Sequence, residues 1–157
     1  MPPGPDAHYR RKTADLAYLA GIIDGEGCVT LSKQRRRPLG HVACLVVCMT
    51  HEPVIRHLQA QFGGRIRHRI KANPAHKPQW EWRITGRKAV ELLFEAAPWI
   101  RVKEMQVSVL CEWANTVIEN TAPCKLGVPV EIMVRRSDLI DQIHTLNRRG
   151  AYDASRP

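Results

Sequence analysis

No stretch of this sequence is apolar for anything like the roughly 18 residues that a membrane-spanning helix needs. Its Met-Pro-Pro-Gly-Pro-Asp opening has none of the charged-then-apolar order of a signal peptide, so a soluble, intracellular protein is expected. The five cysteines, Cys28, Cys44, Cys48, Cys111 and Cys124, are odd in number and form no CxxC pair, which argues against both a disulfide framework and a structural zinc site. Cys44 and Cys48 would lie more than ~10 Å apart along a strand, so the thiols read as reduced and buried. Acidic residues are in deficit as well: 15 Asp and Glu stand against 24 Lys and Arg, for a formal charge of +9. That balance calls for a polyanionic partner, and nucleic acid fits it better than a membrane surface. At 157 residues the chain has the length of one ordinary domain.

The first dozen residues carry three prolines and no apolar periodicity, so residues 1–12 are expected to form a disordered lead-in. Thr13 is placed to cap a helix running to Asp24, with Gly25 and Gly27 ending it. Residues 28–35 and 41–49 are β-rich and separated by the Pro38-Leu-Gly40 break, which predicts a hairpin. Val54, Ile55, Leu58 and Phe62 then fall at helical spacing before Gly63-Gly64. Residues 65–70 and 79–84 alternate strictly and predict a second hairpin. Helices are expected over 87–96, 103–118 and 130–146. The order is αββαββα over residues 13–119, an α+β class, with a C-terminal helical extension over 120–157. Each element occurs once, so any twofold arrangement must come from a second chain.

Two features of the first helix stand out. Leu16, Leu19 and Ile23 recur on a face suited to the core, whereas Ala17, Ala20, Gly21 and Asp24 form a neighbouring stripe of mostly small residues. Small side chains at such spacing let a second backbone approach closely, as does the Gly21/Gly25 pair at i, i+4. A helix packed on a sheet is the plainer explanation of the same spacing. The second feature is that Asp24 and Glu26 sit at the C-terminal end, where helix carbonyls already make the potential negative. A divalent cation would reverse that sign, and an all-oxygen set of Glu26, a nearby carbonyl and a phosphate suits magnesium better than zinc.

The run Leu19-Ala-Gly-Ile-Ile-Asp-Gly-Glu-Gly27 resembles the nine-residue signature of the LAGLIDADG homing endonucleases, keeping six of its nine residues. The resemblance extends from about residue 14 to about residue 119 through the element order. It implies a homodimeric enzyme whose signature helices pair about a twofold axis beneath a saddle-shaped antiparallel sheet laid on double-stranded DNA. Magnesium would be held by Glu26 with the carbonyl of Gly25, while Asp24 would be a helix-end group. Glu in place of the commoner Asp lengthens the reach by one methylene. The segment Pro98-Trp-Ile-Arg-Val-Lys-Glu-Met-Gln106 matches the stretch that carries a lysine near the active site, which falls on Lys103. Its ammonium would stabilise charge on the phosphate or orient the attacking water. His51, at the turn from strand to helix, falls where the family puts a polar residue that positions water; it is equally suited to capping that helix with Thr50.

If Val29 and Leu31 point inward, then Thr30, Ser32, Gln34 and Arg36 point outward, and the same parity exposes Arg65, Arg67 and Arg69 with Gln79, Glu81 and Arg83. Arginine and glutamine on this face offer bidentate contacts to guanine and adenine edges, while Arg35, Arg37 and Lys71 suit phosphates. Val42, Cys44, Val46 and Cys48 share the same parity, so the second strand is either partly covered, for example by the C-terminal extension, or touches thymine methyls. The main alternative to a homing endonuclease is a maturase or DNA-binding regulator of the same fold that does not cut. A basic domain of the ribosome or nucleoid is a third.

Overall fold

The computed structural model describes residues 5–34, 40–70, 75, 77–120 and 127–148, with side chains from Thr13 onward. Arg35, Arg36, Arg37, Lys71 and Cys124 therefore lie outside the described residues. Helix α1 spans Pro5–Glu26 and so begins eight residues before the expected Thr13, taking in part of the segment expected to be disordered. The early start is consistent with Pro5, since proline is pre-organised for the first helical position. Thr13 is consequently interior to the helix rather than its cap.

Strand β1 (Gly27–Lys33) follows α1 with no intervening loop. Only glycine fits at this joint, because a Cβ on Gly27 would stand 2.7 Å from both the Cα and the carbonyl oxygen of Ile23. Strand β2 (His41–Met49) returns antiparallel to β1, pairing Gly27 with Val47 and Lys33 with His41. Helix α2 (Glu52–Phe62) ends at Gly63, whose φ of +73° needs no Cβ penalty. Strands β3 (Arg65–Arg69) and β4 (Gln79–Thr85) make the second hairpin, and β4 pairs with β2 to give one antiparallel sheet in the order β1-β2-β4-β3. Helices α3 (Arg87–Ala96), α4 (Glu104–Glu119) and α5 (Val130–Leu146) complete the described elements, with a 3₁₀ turn at Ala97–Trp99. The architecture is the expected α+β fold.

Alternation divides the sheet into two faces. Val29, Leu31, Ala43, Leu45, Val47, Trp82 and Ile84 join Leu16, Leu19, Ile23, Leu93 and Leu110 in a single core between sheet and helices. Trp82 is fully buried, and its indole N–H donates to the Gly63 carbonyl at 2.7 Å, which ties the α2–β3 turn to the sheet. Helix α5 packs on α4 and β1 and contributes Leu139 and Ile143 to the same core. It thus lies with the core helices rather than over the outward face of β2, and Asn147 just beyond it donates to the Val29 carbonyl of the edge strand β1 at 3.0 Å.

Candidate nuclease site and nucleic-acid interface

Every terminal charge at the end of α1 has a partner except one. The Asp24 carboxylate accepts three backbone N–H bonds, from Arg101 at 2.8 Å and from Val102 and Lys103 at 3.1 Å each. These amides lead into α4, so an anion is placed where that helix is positive. In return, the Lys103 ammonium donates to the carbonyls of Ile23 at 2.8 Å and Asp24 at 3.1 Å, placing a cation at the negative end of α1. The two helix ends are thereby latched by opposite charges. Glu26, two residues beyond Asp24 and exposed, makes no hydrogen bond or ion pair among the described residues.

Asp24, the last residue of the small-residue stripe, has its carboxylate oxygens committed within the chain. Asp24→Ala is expected to lower the unfolding free energy by about 2–3 kcal/mol, the scale of charge-assisted bonds lost from a partly buried site. Urea denaturation measures this; a loss below about 0.5 kcal/mol would show the latch to be energetically idle. Ala20 is also removed from the small-residue stripe, because it is fully buried in the core beside Leu16 and Ile23. Ala17, Gly21 and Gly25 remain on an open face, with nothing within 4 Å of where a Cβ on either glycine would lie. Tyr18 is exposed close by.

His51 is exposed and precedes α2 as its N-cap, yet its side chain makes no capping bond. Because Gly27 pairs with Val47, β2 runs out at the same end of the sheet at which α1 delivers Glu26. Topology therefore brings Glu26, Lys103 and His51 to one end of the sheet. Cys28, on the outward face, was not singled out from sequence, although it shares the parity of Thr30 and Ser32. Burial pushes its thiol pKa up, helped by neighbouring Cys44, while Lys103 and Arg83 pull the other way. The thiol is thus kept protonated at neutral pH and is a poor nucleophile.

Among the described residues, most of the set expected on the outward face lies on the paired strands. Thr30 lies opposite Cys44, Ser32 opposite Val42, Arg65 opposite Arg83, Arg67 opposite Glu81 and Arg69 opposite Gln79. Arg65, Arg67, Arg69 and Arg83 are exposed; Thr30, Ser32, Gln34 and Gln79 are half-buried. Glu81 departs from expectation: it is buried rather than presented to a ligand. Cys44 is buried on this face as well, whereas Val42, Val46 and Cys48 are only partly covered.

Neither a protein-family model nor a curated protein matches the sequence. Solved structures do match the fold. The homing endonuclease I-CvuI, in complex with its target in the presence of calcium, superposes with a TM-score of 0.67 at 19% identity, over 87% of this chain and 85% of that one. An archaeal intron-encoded homing endonuclease complexed with DNA gives 0.68 at 20% identity, over 90% and 91% of the two chains. The LAGLIDADG homing endonuclease I-SmaMI, bound to cleaved DNA, gives 0.58 at 16% identity, with 87% of this chain matching 45% of that one. The chain has the LAGLIDADG homing endonuclease fold. Within that fold the signature-like segment is α1 with its Gly27 joint, and the basic strands are the face opposite the helices. No helix of the described residues is long and apolar enough to cross a membrane.

The donor set at the helix tip fits a hard divalent cation in part. Glu26 supplies a free carboxylate and Gly25 a helix-end carbonyl, but among the described residues no three His, Cys, Asp or Glu side chains gather to hold a metal alone. An oxygen-rich site completed by phosphates and water is the arrangement magnesium prefers over an all-protein cage.

Proposed function

We propose that this chain is a site-specific DNA endonuclease that binds a long, roughly palindromic target as a homodimer and hydrolyses both strands with magnesium. The observation that carries this reading is the unpaired Glu26: its neighbours' charges are satisfied within the chain, and its own carboxylate is left exposed. Glu26 and the Gly25 carbonyl would hold the ion, which supplies Lewis-acid stabilisation of the phosphate and an activated water. Lys103 keeps one ammonium proton beyond the two it gives to α1, available to a phosphate oxygen or to water. His51, exposed and free of a capping bond, is suited to positioning the attacking water.

Homodimerisation is supported by the open Ala17/Gly21/Gly25 ridge, at i±4 spacing suited to close helix packing. It is supported too by the match of 87% of this chain to 45% of I-SmaMI, whose length has room for two such units. Thr30, Ser32, Gln34 and the arginines of β3 and β4 would read base edges and hold phosphates. The test is selection from a randomised duplex pool in magnesium. Cut molecules sharing one roughly palindromic sequence, with 5′ phosphate and 3′ hydroxyl ends, are expected. Enrichment of bound but intact duplexes would instead make the chain a regulator, and absence of any enrichment would refute the proposal.

A further inference from the structure

One carboxylate lies buried on the outward sheet face, among the arginines of β3 and β4. The Glu81 side chain is only 7% exposed, and its two oxygens are taken by different arginines: Arg69 Nη1 donates to Oε2 at 3.2 Å, and Arg83 Nε donates to Oε1 at 3.2 Å. Cys48 Sγ lies 3.9 Å from Oε2 on the β2 side. The two arginines remain open to solvent, with side chains 53% and 45% exposed. Arg67, although directly across from Glu81, and Arg65, directly across from Arg83, have no such tie among the described residues.

This pattern separates four arginines on one face into two kinds. A guanidinium tied at one nitrogen by a buried carboxylate keeps a fixed plane, and Arg83 retains both terminal nitrogens for a bidentate contact. Fixed planes lose little rotamer freedom on binding, which favours geometry-dependent recognition of guanine O6 and N7. Untethered arginines serve as adaptable point charges, sufficient for phosphates, which carry no sequence information. A buried carboxylate tied to two cations is also not free to accept from cytosine, the role that its outward parity alone would give it.

We propose that Glu81 is a positioning residue for base recognition: it orients Arg69 and Arg83 as guanine readers over a short block of neighbouring base pairs, leaving Arg65 and Arg67 to the backbone. The inference rests on the DNA-binding reading given above. Its test compares the full chain with Glu81→Gln, Arg69→Lys and Arg83→Lys by binding selection on randomised duplexes in calcium. The arginine variants keep charge and are exposed, so they report even if Glu81→Gln folds poorly. All three are expected to lose about tenfold in discrimination at the same few positions, the scale of one bidentate contact. Preferences elsewhere in the site should be retained, and Glu81→Gln should add nothing further in a chain already carrying both lysines. A selective parent with an unaltered base-preference profile in Glu81→Gln and in both lysine variants would overturn this inference alone. A parent that selects no sequence would overturn the underlying reading and this one with it.

Discussion

Glu26→Gln is expected to slow strand cleavage by on the order of 1000-fold, the factor that corresponds to several kcal/mol of metal-derived transition-state stabilisation. The substitution keeps size and shape while removing the charge that a hard cation requires. Because Glu26 is exposed and bonds to nothing among the described residues, the fold has no reason to respond. Affinity for the selected target in calcium should be nearly unchanged, since the proposed binding surface is the arginines of β3 and β4 rather than the helix tip. Single-turnover cleavage in magnesium and a gel-shift titration separate the two quantities. Cutting at the parent rate by the glutamine variant would remove Glu26 from the chemistry, and a fall in both together would point to a damaged structure.

Gly21→Leu is expected to weaken self-association by on the order of 100-fold, since a symmetric contact would take the overpacking cost of the added side chain twice. Within one subunit the same change is harmless. Gly21 is exposed, nothing stands within 4 Å of its missing Cβ, and leucine is a better helix former than glycine by nearly 1 kcal/mol. The variant should therefore stay folded by circular dichroism, sediment as a monomer at concentrations where the parent is a dimer, and fail to make double-strand breaks. A dimeric, fully active Gly21→Leu protein would contradict pairing through this ridge.

The fold was legible because its two periodicities are clean. Residues 41–49, 87–96 and 130–146 appear with the expected bounds, each closed by glycine, proline or a change of period. Ala20 shows where residue size misleads. At about 100° per residue it lies about 40° around the helix from Leu16, inside the core stripe, whereas Gly21 lies about 140° away. Angle, not smallness, decides burial, and the angle was available from sequence. Glu81 is different in kind: parity gives the face on which a strand residue stands, but not whether longer neighbours fold over it, so its two arginines were invisible. The Asp24 latch joins residues 77 to 79 positions apart and has no local signal at all. Lys103 could be placed beside the helix tip only by likeness to a family, and the geometry gives that placement its physical cause in the carbonyls of Ile23 and Asp24.

The sheet's two outer strands are protected by different means. On β1, α5 packs alongside and Asn147 occupies the Val29 carbonyl. On β3, Arg65, Arg67 and Arg69 crowd an exposed five-residue strand with positive charge. Neither border invites a stray polypeptide to add itself by backbone pairing, since one is sealed and the other repels its own kind. A newly made chain therefore offers few free strand edges on which fibrillar pairing could start.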